Sequence, residues 1–327
     1  MKRILVTGAD GMLGSNLVRE LLKRNYTVRA FLQPGRQVKT LNGLTIEKYE
    51  GDLLDKSSVE AAMQDCQYVI HAAAHTGIWP TRSEVIRNVN LKGTEHIVST
   101  AFALQVERLV FVGTANSYGF GSKQNPGTEK NPYAGAVYGL DYMDSKYQAH
   151  QLVLKYVALG LKAIVVNPTF MIGPYDSGPS SGAMIVAICK NKVKGYARGG
   201  RNYICVCDAV VGIANALTMG RIGEGYLLGN RNLNYKEIFS TIARVANVKA
   251  PVIGVPGWIL LAVGCWASFI ASISKKKPLL SYNMAKIAVD EHYFTAQKAV
   301  DELQLPQTPV EVGIKESIDW FRANGYI

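Results

Sequence analysis

An apolar run, Ile4-Leu5-Val6, leads without a break into Thr7-Gly8-Ala9-Asp10-Gly11-Met12-Leu13-Gly14. Such a run predicts a buried strand ending at Gly8 and a helix opening near Gly11, with glycines where a side chain would obstruct. Gly8 permits the tight turn, Gly11 lets the backbone approach a pyrophosphate, and Gly14 lets the helix pack close to the strand. Backbone N–H groups at a helix start, aligned with its dipole, hold an anion. Gly8, Gly11, Met12, Leu13 and Gly14 are therefore candidate contacts to a dinucleotide. The spacing is G-x-x-G-x-x-G, a variant of the commoner fingerprint, and alone it also describes a plain glycine-rich turn.

The rhythm continues downstream. Short segments rich in Val, Ile, Leu or Tyr predict strands at 3–8, 26–32, 44–50, 67–74, 107–114 and 161–167. Helical patterns fall near 12–24, 55–65, 83–104 and 137–159, with Ser57-Ser58-Val59-Glu60 reading as a capping-box start. Alternating strand and helix implies right-handed crossovers and a parallel sheet covered on both faces. After about residue 168 the order breaks: glycines and prolines crowd Gly173-Pro174-Tyr175-Asp176-Ser177-Gly178-Pro179. The expected fold class is α/β, a Rossmann-type doubly wound parallel sheet over 1–168. A smaller mixed α/β substrate lobe follows over 169–327, interleaved with the first domain around 203–229, and lies over the carboxyl ends of the strands.

A chain of 327 residues, 48% hydrophobic, can bury a core of this size. Cys66, Cys189, Cys205, Cys207 and Cys265 form no C-x-x-C pair, which argues against zinc or a disulfide framework and fits reduced thiols in a cytoplasm. Cys205 and Cys207 read as small core residues on alternating sites. Met1-Lys2-Arg3-Ile4 lacks the apolar length of a signal peptide. The net charge of +11 attracts anions generally, and no nucleic-acid motif accompanies it.

Tyr142 and Lys146 stand four apart on the long helix before the sixth strand, on one helical face. A phenol ionises near pH ~10, too high for easy proton exchange at neutrality, and a neighbouring ammonium lowers that value. Such a tyrosine could exchange a proton with a carbonyl or alcohol oxygen. Spacing alone is not decisive, since Tyr282 and Lys286 share it among 17 tyrosines. Position downstream of Thr114, after the fifth strand, distinguishes Tyr142.

Further motifs fall in a set order: Gly51-Asp52-Leu53, His71-Ala72-Ala73-Ala74, Asn90 in Asn90-Leu91-Lys92-Gly93-Thr94, the run Phe111 to Gly119, and Asn167-Pro168-Thr169-Phe170. With these, the chain resembles an extended short-chain dehydrogenase/reductase over nearly its full length. It is most similar there to dihydroflavonol reductase-like and hopanoid-associated sugar epimerase-like proteins; Lys298-Ala299-Val300 and Trp320-Phe321-Arg322-Ala323-Asn324-Gly325 carry the latter likeness. The resemblance implies that Asp52 bonds the adenine, that Leu53 flanks it and that Ala72, Ala73 and Ala74 line the cofactor's path. It implies Tyr142 as acid and base, Thr114 as the group orienting the reacting oxygen, and Asn90 as a further catalytic and cofactor residue. Lys146 would bind the nicotinamide ribose and tune Tyr142, and Asn167, Pro168, Thr169 and Phe170 would hold the nicotinamide end. His75, Thr76, Asn116, Tyr118, Thr169, Met171 and Tyr203 are candidate substrate contacts. Trp79 joins them, although Trp79 and Tyr203 read equally well as core aromatics.

Departures from the family pattern narrow the activity. No acid stands at the end of the second strand to accept from a ribose 2′-OH, and Arg36 follows nearby, which favours NADP over NAD; Arg36 reads equally as a solvated loop charge. Relatives commonly carry His and Asp where Cys205 and Cys207 stand. Thr114-Ala115-Asn116 lacks the acidic pair of sugar-nucleotide dehydratases. The expected function is a cytoplasmic NADP-dependent oxidoreductase interconverting a small-molecule carbonyl and alcohol. The alternatives are a nucleotide-sugar epimerase with retained NAD, or a non-catalytic dinucleotide sensor. Residues 250–274 carry no charge and precede Lys275-Lys276-Lys277. Their expected role is a helix closing the substrate lobe, with membrane-surface contact through 250–277 as the alternative. A homodimer is also compatible.

Overall fold

The computed structural model describes residues 2–36, 38–274 and 276–327; Met1 of the N-terminal tetrapeptide and Lys275 of the lysine triplet lie outside them. In β1 (Arg3–Thr7), Ile4 and Val6 join the core on one side of the sheet and Leu5 the core on the other, all fully buried. Burial on both faces is what a strand sandwiched between helix layers requires. Then come α1 (Met12–Lys23), β2 (Thr27–Leu32), β3 (Glu47–Glu50), α2 (Lys56–Met63) and β4 (Tyr68–His71). A helical stretch runs as α3 (Glu84–Arg87), a π turn at Asn88–Lys92 and α4 (Gly93–Ala103). β5 (Arg108–Val112), α5 (Asp141–Ala158) and β6 (Ala163–Pro168) complete this half. Every strand expected here is present.

The start of α2 differs from expectation. Asp55 is the N-cap, its carboxylate accepting the Ser57 N–H at 3.0 Å, so Ser57 lies inside the helix. An aspartate two residues upstream outcompetes the serine because its charged oxygen also complements the helix dipole.

Beyond Pro168 the chain forms β7 (Phe170–Ile172), α6 (Ala183–Cys189), β8 (Gly195–Tyr196), β9 (Gly200–Cys205), α7 (Val206–Asn215), β10 (Gly225–Leu228) and β11 (Arg231–Asn234). It ends with α8 (Tyr235–Ala246), β12 (Ile253–Gly254), α9 (Gly257–Ser274), α10 (Tyr282–Val289), β13 (Glu291–His292), α11 (Gln297–Leu303) and α12 (Val310–Ala323). β10 returns to pair in parallel with β6, giving a seven-stranded parallel sheet of order β10-β6-β5-β4-β1-β2-β3. α7 returns as well and packs on α1. A second sheet, β11-β9-β13 with β7 also on β9, is wrapped by α6, α8 and α12 around Ile172, Tyr203, Ile314 and Phe321. The strand order reverses between β1 and β4, and the crevice at their carboxyl ends is where open α/β sheets take ligands.

Cys205 and Cys207 do not occupy alternating strand sites. β9 ends at Cys205, which is the N-cap of α7, and Cys207 lies in the first turn of that helix. α9 does not close the lobe core either. Only Gly264 and Ala271 of its residues are buried, and Gly264 faces α10.

Candidate active site

Gly8 adopts a left-handed φ of +68°, and a Cβ there would stand 2.7 Å from the Ala73 backbone at the end of β4. A Cβ on Gly14 would stand 2.7 Å from Ala9 Cα and closer still to Gly8 O. Turn and helix therefore touch backbone to backbone, which only glycine allows. Gly11 is different: its Cβ would meet nothing nearer than Gly8 O at 3.5 Å. It is the N-cap of α1 and gives no side-chain cap, and the first turn holds no acid. The first N–H groups of α1 are thus framed by a cradle that a dinucleotide pyrophosphate fits.

A chain of hydrogen bonds fixes this turn to the rest of the crevice. The Ala73 N–H donates to Thr7 Oγ1 at 3.1 Å, and Thr7 Oγ1 lies 2.7 Å from His71 Nδ1. His71 Nε2 lies 3.1 Å from Thr94 Oγ1, whose hydroxyl donates to Asn90 O at 2.6 Å. Directions follow from counting donors. Thr94 gives its proton to Asn90, so it accepts from His71 Nε2–H, and Nδ1 accepts from the Thr7 hydroxyl. The chain requires a neutral imidazole. Burial, with the Lys146 charge added, holds the His71 pKa down at about 3.

Asn90 sits in the π turn, a local widening frequent at functional sites. Its amide accepts from His75 N at 2.7 Å, donates to His75 O at 3.1 Å and donates to Ser145 Oγ at 3.0 Å. It pins the loop after β4 to α5, beside Lys146. α5 is anchored at its start by Asp141, whose carboxylate takes Ser83 N–H at 2.7 Å, Arg82 at 2.8 Å and Arg87 at 2.9 Å. Although burial pushes the other way, those donors keep its pKa below the usual carboxylate value.

Tyr142, next to that anchor, lies beside Thr114, two residues past β5. Burial raises the Tyr142 pKa, and the Thr114 hydroxyl partly offsets the rise. Lys146 points one turn deeper. Its Nζ donates to Val112 O at 2.7 Å over the Phe111 ring, and burial lowers its pKa to about 7. The expected lowering of Tyr142 by Lys146 is therefore not the arrangement seen: the ammonium is turned to the strand-end carbonyl. Lys286, the other lysine at this spacing, donates to Val137 O on the surface.

Other sequence-selected residues are placed as follows. Asp52 is exposed beyond β3, its carboxylate accepting Leu54 N–H, and Leu53 packs on Gly93. Ala72 and Ala74 flank Ala73 along the crevice, partly exposed. Asn167 is fully buried with both amide atoms unpartnered, and Pro168 ends β6 beside it. Thr169 donates to Asn202 Oδ1 at 2.9 Å, and Phe170 stacks edge-on against Tyr203. His75 and Thr76 are exposed on the loop after β4; Asn116, Met171 and Trp79 are half-buried. Tyr203 is completely buried in the lobe core, and Tyr118 packs against His150 and Gly225 at the far end of β10. Tyr203 is enclosed by the lobe core, and the Tyr118 hydroxyl is directed to Gly225 at the start of β10, away from the carboxyl ends of the strands.

Two carboxylates that sequence reasoning missed flank the loop after β2. Asp10 pairs with Arg36 Nε at 2.9 Å, and Glu50, brought opposite Leu32 by strand register, accepts Gly35 N–H at 3.4 Å.

A parallel sheet with a glycine cradle at its switch point, and a tyrosine–threonine pair at the neighbouring strand end, defines a dinucleotide-dependent enzyme of the short-chain dehydrogenase/reductase type. Residues 4–229 match the model of the NAD dependent epimerase/dehydratase family, and the chain belongs to that family. A Synechocystis protein provisionally named dihydroflavonol 4-reductase is 31% identical over 98% of this chain and 95% of its own. Sterol demethylase protein B of Methylococcus capsulatus is 26% identical, covering 99% of both chains. The crystal structure of a nucleoside-diphosphate-sugar epimerase from Pseudomonas aeruginosa superposes with a TM-score of 0.82 at 26% identity, covering 100% of this chain and 99% of that one. The protein is an NAD(P)-dependent oxidoreductase of the extended short-chain type.

Proposed function

We propose that this enzyme is an NADP-dependent reductase that interconverts a carbonyl and an alcohol, with Tyr142 as proton donor and acceptor. The observation that carries the proposal is the Tyr142 phenol beside the Thr114 hydroxyl at the carboxyl end of β5. With its pKa raised by burial, Tyr142 is protonated at neutral pH, ready to protonate a carbonyl oxygen that Thr114 orients. A bound nicotinamide supplies or takes up the hydride at the carbon. Lys146, its Nζ turned to Val112 O, is assigned the ribose, and the Thr114 hydroxyl, which favours the ionised phenol, stabilises the phenolate left behind. Gly8 to Gly14 hold the pyrophosphate, and Asp52 with Leu53 the adenine. Ala72 to Ala74 and Asn167 to Phe170 line the path between them and the nicotinamide end. His75, Thr76, Asn116 and Met171 are left to meet the substrate.

Arg36 supports NADP. Its pairing with Asp10 neutralises the carboxylate nearest the glycine turn and keeps a guanidinium beside that turn, which favours a cofactor carrying an extra phosphate. The name of the Pseudomonas neighbour supports a second reading, an epimerase that keeps one NAD through oxidation and re-reduction. Denaturing fresh protein and identifying the released nicotinamide separates the two. Retained NAD supports the epimerase; an empty site that takes NADPH before NADH, and turns over ketones or aldehydes only with Tyr142 intact, supports the reductase.

A further inference from the structure

Residues 250–274 are free of charge, and no Asp or Glu occurs between 238 and 289. Within this stretch α9 has 18 residues with a mean hydropathy of 1.7, yet only 11% of it is buried. A stripe of small residues seven apart, Gly257, Gly264 and Ala271, holds it on the underlying chain. A Cβ on Gly264 would stand 2.9 Å from Ala285 Cβ and 3.0 Å from Tyr282 Cα, so the backbones of α9 and α10 meet closely. The opposite face is apolar and bare. Trp258 is 72% exposed and Trp266 68%, with Phe269, Ile270 and Ile273 all above half. A continuous exposed surface of this kind is not what a water-facing helix presents.

Cations frame the patch at both ends. Before α9, a groove of ≈ 750 Å³ is lined by Lys194 and Lys249 beside Val252, which is 80% exposed. After it, Lys276 and Lys277 are exposed. An apolar strip with exposed tryptophans between two lysine clusters matches the acyl boundary and headgroups of an anionic bilayer. It does not match a second copy of the chain. A two-fold pairing of α9 with itself sets lysines against lysines whether the helices run parallel or antiparallel. Crossing a bilayer would strip α9 from the seam that holds it to α10 along its length.

We propose that α9, with its flanking lysines, is a docking surface for anionic membrane, on which the helix lies in the plane with its outer face in the acyl boundary. α10 links this face to the active-site end: its Ile287 packs with Tyr138, Leu140 and Met143, against which Tyr142 rests.

The test uses the full chain with sealed vesicles of phosphatidylcholine, with or without phosphatidylglycerol. The wild type is expected to float with phosphatidylglycerol vesicles, with tryptophan emission moving to the blue, and to float poorly with phosphatidylcholine alone. A Trp266→Ser/Phe269→Ser/Ile273→Ser variant, melting as wild type does, loses flotation on both. A Lys276→Glu/Lys277→Glu variant loses the preference for the anionic vesicles. Protein that stays at the bottom of both gradients overturns the proposal. So does a lipid-free dimer that the triple serine variant converts to monomer, or protein that resists an alkaline wash as a spanning helix does.

Discussion

The glycine turn offers two substitutions that the structure separates. In Gly14→Ala the new methyl stands 2.7 Å from Ala9 Cα and closer to Gly8 O, where carbon atoms need about 3.5 Å. Both obstacles are backbone, tied down by the Gly11 N–H to Gly8 O hydrogen bond at 3.2 Å, so α1 must retreat by roughly 1 Å from the strand it packs on. Overpacking of that kind costs about 1–3 kcal/mol. In Gly11→Ala the nearest atom is 3.5 Å away and φ is −73°, so nothing clashes and only a glycine N-cap is lost, under about 1 kcal/mol. The obstruction there falls on the ligand instead. Urea melts with NADPH fluorescence titrations read both effects. Gly11→Ala should melt near wild type and bind NADPH at least tenfold more weakly, about 1.4 kcal/mol. Gly14→Ala should lose stability as well as binding. Wild-type NADPH affinity in Gly11→Ala, or an unshifted urea midpoint in Gly14→Ala, would refute the reasoning.

Tyr142→Phe should keep NADPH binding and lose about 10²–10⁴ in turnover; retained turnover in a carbonyl-reduction assay removes Tyr142 from the chemistry. Arg36→Ala should weaken NADPH far more than NADH in parallel titrations, and equal losses would sink the NADP assignment. Lys146, with a folded pKa of about 7 against an unfolded value near ~10.4, binds fewer protons folded than unfolded between those values. Stability in the wild type should therefore rise from pH 7 to pH 10 relative to Lys146→Met, and parallel urea midpoints across that range would contradict a buried, neutral lysine. Thr94→Val should leave the His71 Nε2–H without an acceptor, at a cost of about 1–3 kcal/mol in urea unfolding; a neutral result would mean that the donor directions are reversed.

Legibility tracked sequence distance. The turn from Thr7 to Gly14 and the Tyr142/Lys146 spacing are local, and local geometry is what residue order encodes most directly. The Thr7–His71–Thr94 chain was invisible because β1–β4 pairing and the widened turn before Thr94 bring its members together from distant positions. Glu50 was missed for the same reason, since only the Leu32–Glu50 register brings it near the loop after β2. Tyr118 and Tyr203 show the converse: an aromatic near a strand end reads alike whether it lines a cleft or fills a core, and only the direction of its Cα–Cβ bond decides.

The uncharged stretch after residue 250 is the sharpest case of one pattern with two physical outcomes. A buried lobe helix and a helix bound to lipid both need an apolar surface all round, and both tolerate glycine and alanine where they meet a neighbour. What separates them is how many neighbours they have. α9 has α10 along one seam, closest at Gly264, and leaves Trp266, Phe269 and Ile273 more than half exposed among the described residues. Had those positions been Lys, Glu or Ser, the same backbone would serve as a water-facing helix at no loss to the seam. The fold thus does not demand apolar residues there, and their presence is the reason to look for an apolar partner outside the chain.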